Sequence, residues 1–320
     1  AVPLKWTASA PSNLALIKYM GKKPAKAGQN IPLNSSLSFT LNHFITKVEI
    51  EEASSDSWSS FEKGSVFYTE LSIQAQKRFL DFFQSLKKYF SIPGYYKICS
   101  GNNFPLSTGA ASSASSFAAL TQAVYKLAQE QTDLQKKLSV EELSQISRSG
   151  SGSSCRSFFS PWALWTEKRV QPLKFPFENF IHQMIVTSDS DKKIFSRDAH
   201  KRVESSPYFK ERPQRAETRL KELCSALRSQ DWYRCYLLVR EEFLDMHHLF
   251  ETAHPPFSYQ TKSSGQVLEK VENFWKQRGD GPLVTMDAGS SVHLLYRLDQ
   301  KELAEEFSSL LPVKKILSNQ

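Results

Sequence analysis

The chain has 320 residues, of which 40% are hydrophobic and 23% are charged, close to the composition of an ordinary globular protein. This length suits one large domain or two modest ones, and no apolar run approaches the roughly 20 residues that span a bilayer. The sequence shows no secretory signal, and its four cysteines form no C-x-x-C pair, so we expect a cytoplasmic protein with reduced thiols that does not act at a membrane.

The formal charge of +8, from 41 Lys and Arg against 33 Asp and Glu, suits an anionic ligand. The basic residues are spread along the chain, without a long Lys/Arg run or zinc-finger spacing. Charge alone therefore leaves both nucleic acid and a phosphorylated metabolite open as ligands, and no motif supports nucleic acid.

Period-two and helical hydrophobic patterns both occur in the first half of the chain. In chain order they predict a strand over 45–51, a Ser-rich surface turn or β-hairpin tip over 54–60, a helix over 71–90 and a small-residue loop over 107–116. A helix follows with an apolar stripe at Phe117, Leu120, Val124 and Leu127, and then a helix over 140–147 and a second Gly/Ser-rich turn.

The second half favours helices with a few strands between them. The patterns predict a strand at 184–186, helices over 215–228, 232–250 and 266–278, strands over 283–286 and 292–296, and a last helix over 300–308. We therefore predict an α+β fold of two lobes, with the boundary near residue 180.

The loop over 107–116 has the clearest local signal for chemistry. Its small side chains allow the backbone to approach a ligand closely, and the N–H groups at the start of the following helix favour an anion. The hydroxyls of Ser112 and Ser113 are candidate ligands of a phosphate or of Mg²⁺. The alternative is a Ser-rich helix cap, and the loop is not a Walker A motif because no Gly-Lys-Ser/Thr follows it.

Two further short segments combine turn residues with a charged side chain. Residues 149–156 end a Gly/Ser run with Arg156, whose guanidinium can bind a phosphate or carboxylate through two hydrogen bonds. Residues 285–289 place Asp287 beside a glycine between two predicted strands, where a carboxylate is a candidate base. Plain turns are the alternative for both.

The N-terminal segment 10–22 carries Asn13, Lys18, Tyr19 and Lys22 around a short apolar stretch. Solvated surface lysines are the simplest interpretation of this segment by itself. The same residue types also suit the binding of an anionic substrate.

Together these segments resemble the diphosphomevalonate decarboxylases of the GHMP small-molecule kinase superfamily. The family pattern Ala-Pro-x-Asn-x-Ala-x-x-Lys-Tyr-x-Gly-Lys is matched at 10–22, and Asn-Ser-Ser-Leu-Ser at 34–38. The family's phosphate loop is matched at 103–114, Ser-Gly-Ser-x-Cys-Arg-Ser at 151–157 and Asp-Ala-Gly at 287–289. A Met-His pair at 246–247 and Pro-Pro-x-x-Tyr at 255–259 also fit, so the resemblance runs nearly end to end.

The resemblance implies a role for each matched residue. It places Asp287 at the substrate hydroxyl as base or orienting group, with Lys18 beside it, and Arg156 on the substrate carboxylate, with Asn13 nearby. The residues expected to contact the substrate and its diphosphate are Tyr19, Lys22, Ser151, Gly152, Ser153, Ser196 and Arg197. Those expected to bind the ATP phosphates are Gly109, Ala110, Ala111, Ser112 and Ser113, with Ser113 also a Mg²⁺ ligand.

The resemblance also implies the architecture and the reaction. It predicts a ribosomal-protein-S5-like lobe at 1–180, a ferredoxin-like lobe at 181–320, an active site in the cleft between them, and a homodimer. Such enzymes use ATP and Mg²⁺ to phosphorylate the 3-hydroxyl of diphosphomevalonate, and loss of that phosphate with CO2 gives isopentenyl diphosphate, ADP and phosphate.

Some residues depart from the family pattern. Met20 stands where tryptophan is common, Ser290-Ser291 replaces Pro-Asn, and Arg202 stands where a threonine is expected. A GHMP kinase that phosphorylates mevalonate or a relative without decarboxylating it is therefore the nearest alternative. A non-catalytic basic protein that binds phosphate groups or nucleic acid is the alternative from another class.

The adjacent pair His247-His248 is also compatible with a metal site. Neighbouring side chains on a helix point about 100° apart, so both cannot easily bind one ion. We therefore expect core or surface histidines here.

Overall fold

The computed structural model describes residues 2–24, 29–105, 112–187, 194–311 and 315–320. Two sheets organise them, one built from strands between residues 5 and 173 and the other from strands between 181 and 318. Within these ranges, no helix combines the length and the apolar character that crossing a membrane would need.

The first sheet is mixed, with its two longest strands paired antiparallel. Its strands are β1 (Lys5–Ile17), β2 (Ser36–Ala53), β3 (Ser57–Ser59), β4 (Tyr95–Asn102), β5 (Trp162–Trp165) and β6 (Val170–Leu173). The order is β3-β4-β2-β5-β6, and β1 pairs with β2 from Lys5↔Glu51 to Ile17↔Leu37. This long pairing delivers Lys18, the residue after β1, to the middle of the molecule.

Three α-helices of the described residues belong to this half: α1 (Ile73–Phe90), α2 (Ser112–Gln131) and α3 (Val140–Arg148). The predicted apolar stripe of α2 is buried at all four positions, against β1 and β2. Helix α1 begins two residues after its predicted start because Ser72 caps it by accepting from the N–H of Ala75. The predicted turn at 54–60 instead contains β3, which pairs in parallel with β4.

The second sheet is antiparallel, with the order β10-β7-β9-β8. Its strands are β7 (Ile181–Val186), β8 (Leu283–Thr285), β9 (Val292–Tyr296) and β10 (Lys315–Ser318), and the helices of this half are α4 (Ser196–Arg202), α5 (Arg212–Arg228), α6 (Trp232–Glu251), α7 (Lys262–Arg278) and α8 (Lys301–Ser309). Helix α7 starts four residues before its predicted start because Thr261 and Ser264 form a capping box.

One hydrophobic core joins the two sheets. Leu14 and Phe39 of the first sheet share a buried cluster with Met184 and Leu294 of the second and with Phe243 of α6. Helix α6 packs against both β1 and β8. The ends of β1 and β8, which carry predicted site residues, therefore meet against one helix.

Candidate active site

An ion pair connects the two halves of the chain at the centre of the candidate site. Lys18 follows β1 directly, and Asp287 lies two residues after the end of β8. Lys18 Nζ is 2.6 Å from Asp287 Oδ1, and the two side chains are 2% and 20% exposed. Lys18 is therefore not one of the solvated surface lysines that residues 10–22 alone permitted.

The surroundings of this pair favour the carboxylate of Asp287. Burial raises the pKa of Asp287, but the adjacent Lys18 ammonium, together with His293 and Arg156, more than offsets this effect and holds the pKa below its usual value. Burial lowers the pKa of Lys18, while Asp287 stabilises its charge. At neutral pH Asp287 is thus a carboxylate that can accept a hydrogen bond from a substrate hydroxyl.

Arg156 places a buried cation beside the pair. Its Nε donates to Asn13 Oδ1 over 3.1 Å and its Nη1 to Ser36 Oγ over 2.6 Å. The residue is 4% exposed, and no carboxylate of the described part of the chain lies within ion-pair distance of it. Burial lowers the pKa of Arg156 accordingly. A buried charge without a close counter-ion is costly, so the carboxylate of a ligand fits this position.

Asn13 fixes the direction of Arg156. Besides accepting from Arg156, its side-chain amide donates to Ser157 Oγ over 2.8 Å and to the carbonyl oxygen of Ser153 over 3.3 Å. Residues 151–157 are not a bare turn, because Gly152–Phe158 forms a 3-10 helix whose arginine points inward.

The Tyr19 hydroxyl is a buried hydrogen-bond donor that is available to a ligand. The oxygen is buried and makes no hydrogen bond within the described residues, and burial raises the Tyr19 pKa, so the group stays a neutral donor. The ring lies against Trp165 and His200, with centroid distances of 4.5 and 4.4 Å. Gly152 makes room for it, since a Cβ there would come within 2.6 Å of the ring.

A group of basic side chains lies beside Tyr19. Burial lowers the pKa of Lys22, and the positive charges of Arg78 and Arg197 lower it further. Lys22 Nζ donates to Asn30 Oδ1 over 2.7 Å, and Arg78 Nη2 donates to the carbonyl oxygen of Gly150 over 3.2 Å. In the described ranges neither cation has a carboxylate partner, so the group is suited to a polyanion.

Arg148 adds a fourth cation to this group. Its carbonyl oxygen accepts from the Asn30 side chain over 2.7 Å, which ties it to Lys22 through Asn30. Its Nε is buried, with no hydrogen-bond partner in the described part of the chain. Sequence reasoning missed both Arg78 and Arg148, because they lie in the helical patterns of α1 and α3 and outside the family motifs quoted above.

The serines predicted to bind substrate occupy different surroundings. Ser151 Oγ donates to Ser113 Oγ over 3.2 Å, and this hydrogen bond joins residues 151–153, predicted to bind substrate, to the start of α2. Ser153 contributes its carbonyl oxygen to Asn13. Ser196 and Arg197 are exposed in the first turn of α4.

The predicted ATP-phosphate residues Gly109, Ala110 and Ala111 lie outside the described residues, and only the backbone of Ser112 is described. Ser113 is described, and its hydroxyl at the N-terminal end of α2 is a hard oxygen ligand of the kind Mg²⁺ prefers. The described residues contain no cluster of three or more His, Cys, Asp or Glu side chains that could hold a metal. Mg²⁺ is commonly held mainly by phosphate oxygens and water, which need no such cluster.

Comparison with known proteins yields one consistent family. The model of the diphosphomevalonate decarboxylase-like N-terminal domain matches residues 10–171, and that of the mevalonate 5-diphosphate decarboxylase C-terminal domain matches residues 183–319. A diphosphomevalonate decarboxylase of Ganoderma lucidum is 31% identical over 84% of this chain and 71% of the relative.

Solved structures agree with this assignment. A mevalonate diphosphate decarboxylase from Legionella pneumophila is 48% identical, with a TM-score of 0.91 over 98% of this chain and 100% of that one. A structure described as MDDEF in complex with MVAPP, AMPPCP and magnesium is 28% identical, with a TM-score of 0.85 over 98% of this chain and 96% of that one. The two-lobed α+β GHMP fold is thereby confirmed, and the chain belongs to the diphosphomevalonate decarboxylase family.

Proposed function

We propose that the chain catalyses the ATP-dependent decarboxylation of diphosphomevalonate to isopentenyl diphosphate, ADP, phosphate and CO2. The observation that carries this proposal is the position of Arg156 beside the Lys18–Asp287 pair, as a buried cation with no close carboxylate partner among the described residues. A kinase needs a carboxylate clamp only to bind its substrate, whereas decarboxylation also needs the carboxylate held in place while the C–C bond breaks. The family relationship supports the same reaction.

The ion pair accounts for the phosphorylation step. The oxygen of the substrate 3-hydroxyl attacks the γ-phosphorus of ATP, and the Asp287 carboxylate accepts the proton of that hydroxyl. Lys18 stabilises the negative charges around this hydroxyl. Arg156 then holds the substrate carboxylate while the C–C bond breaks. The electron pair of that bond forms the new double bond, and the 3-phosphate leaves with the electrons of the C–O bond.

The basic group accounts for the diphosphate. Lys22, Arg78 and Arg197 repel one another, and an anion bound among them and Arg148 offsets that repulsion. The Tyr19 hydroxyl adds a neutral donor. A diphosphate, with several charged oxygens, engages such a group more fully than a single hydroxyl or carboxylate would.

ATP and Mg²⁺ are the cofactors of this reaction, in keeping with the related complex that holds AMPPCP and magnesium. Bound Mg²⁺ neutralises charge on the transferring phosphoryl group. We propose that Ser113 is one of its ligands and that residues 109–113 bind the ATP phosphates. The Ser151–Ser113 hydrogen bond would then connect the substrate-binding residues 151–153 with the ATP-binding residues 109–113.

We further propose two lobes, 1–180 and 181–320, with the active site between them, and a homodimer as the assembly. The Lys18–Asp287 contact joins residues from the two proposed lobes and supports this placement of the site. The four cysteines are free thiols, which supports the proposed cytoplasmic location.

A substrate panel tests the proposal. Mevalonate, its 5-phosphate and its 5-diphosphate are each incubated with enzyme and MgATP, and ADP release is followed. We expect kcat/KM to be highest for the diphosphate, and charge-removing changes at Arg78 or Arg148 to reduce that preference. Equal use of the three compounds would contradict the assigned diphosphate site, and a preference for mevalonate would favour the kinase alternative.

A further inference from the structure

The backbone around Asp287 lies outside the sheet. The last pair of the β8–β9 ladder is Thr285↔His293, so Asp287 lies beyond the paired residues. A catalytic carboxylate must be held within a fraction of an ångström of the position in which it reacts. Contacts from outside the ladder must therefore supply this hold.

His247 of α6 supplies one such contact. Its Nε2 lies 3.1 Å from the carbonyl oxygen of Asp287, and the residue is 1% exposed. A carbonyl oxygen only accepts hydrogen bonds, so Nε2 must carry the proton. Burial lowers the pKa of His247 to about 4, so the ring is neutral at pH 7, and its Nδ1 has no hydrogen-bond partner in the described part of the chain.

The same helix also holds the other member of the ion pair. The backbone N–H of Lys18 donates to Glu242 Oε2 over 2.7 Å, and Glu242 is completely buried. Arg212 fixes that carboxylate with hydrogen bonds of 2.8 and 2.6 Å. Helix α6 thus holds the main chain at both Lys18 and Asp287.

We infer that His247 is a positioning residue for the reaction: through its hydrogen bond to the main chain of Asp287, it aims that carboxylate at the substrate hydroxyl, while Glu242 aligns Lys18. The inference rests on the proposed function. His247 contacts neither the substrate nor ATP, but it sets the position of Asp287, which contacts the reacting atoms.

Two other roles for His247 are less consistent with the structure. A metal site shared with His248 is disfavoured, because His248 is exposed and its ring lies 4.6 Å from that of Tyr208. Core packing against Phe243 and Phe250, at centroid distances of 5.9 and 5.2 Å, is real but does not explain why a nitrogen faces the Asp287 carbonyl.

A matched pair of substitutions separates positioning from packing. Both H247Q and H247M remove the ring, and their side chains have similar size, but only the Gln amide can donate to the Asp287 carbonyl. For H247M we expect kcat to fall by at least about tenfold with KM for both substrates within about twofold, since small displacements at a reacting group cost rate. For H247Q we expect kcat within about threefold of the wild type. H248M on the same helix is the control and should match the wild type.

Equal losses of kcat in folded H247Q and H247M would overturn the inference. If H247M does not fold, H247Q decides: retention of kcat supports the inference, and a loss beyond tenfold with unchanged KM contradicts it. A wild-type enzyme that releases neither ADP nor CO2 from diphosphomevalonate would instead refute the proposed function. The two failures are therefore distinguishable.

Discussion

Replacing Arg156 by lysine keeps the positive charge and removes the planar guanidinium. In the structure Nε and Nη1 donate to Asn13 and Ser36, at 3.1 and 2.6 Å, and no hydrogen bond among the described residues engages Nη2, which can therefore serve a ligand. One ammonium cannot make these internal bonds and also hold a carboxylate through two donors. A lost hydrogen bond to a charged group costs about 1.5–3 kcal/mol, so kcat/KM should fall by about 10- to 150-fold.

The assay is steady-state release of ADP and CO2 from diphosphomevalonate and MgATP. Arg240→Lys is the matched control, because Arg240 is 38% exposed and pairs only with Glu272 at the surface among the described residues; it should behave like the wild type. An Arg156→Lys enzyme with unaltered kcat/KM would remove Arg156 from the carboxylate site and with it the main argument for decarboxylation.

Three further predictions concern the ion pair, a buried network and a glycine. Asp287→Ala should abolish turnover and lower the Tm, because Lys18 is left buried without its partner, and adding Lys18→Met should restore the Tm but not the turnover. Burial raises the pKa of Asp245, but its partners Arg215, Arg212 and Arg219 outweigh this effect and lower the pKa of Asp245 to about 2. The charge of Asp245 therefore stabilises the fold by on the order of 2 kcal/mol above its unfolded pKa of about 4, and this contribution is lost as the pH falls toward 2. Gly152→Ala should raise KM for diphosphomevalonate severalfold, because the new Cβ would displace the Tyr19 ring.

Each of these predictions has a control or a contradicting result. Turnover retained in Asp287→Ala would exclude the assigned role. Comparing the unfolding free energy of Asp245→Asn with wild type at several pH values tests the second prediction, and a difference that does not shrink below pH 4 would contradict it. Gly265→Ala controls for Gly152→Ala, because in the described part of the chain a Cβ at Gly265 would meet no atom within 4 Å apart from its own helix backbone and chain neighbours.

Hydrophobic periodicity was sufficient to predict most helices and several strands. The α2 stripe and the long helices of the second half were located because burial on one face imposes a regular spacing. Strand β1 escaped that reasoning, since its 13 residues mix polar and apolar side chains and bulge near Pro11 and Ala15. Helix starts that depend on a cap, as at Thr261, lie a few residues away from the starts that periodicity predicts.

The candidate site was predictable only where residues lie in short motifs. Lys18 and Asp287 are 269 residues apart in the chain, and nothing in their local patterns required them to meet. Arg78, Arg148 and His247 act through tertiary placement on ordinary helices. Among the described residues Arg78 and Arg148 have no carboxylate partner, and the Met-His match at 246–247 does not show that His247 contacts the Asp287 carbonyl, because neither feature leaves a spacing in the sequence.

The most direct test of the central claim is the ratio of CO2 to ADP released from diphosphomevalonate labelled in its carboxyl group, measured in one reaction with MgATP. We expect a ratio of one throughout the time course, because in the proposed site Arg156 holds the carboxylate next to Asp287 and Lys18, which serve phosphorylation. ADP release without CO2 would contradict it and make the protein a kinase.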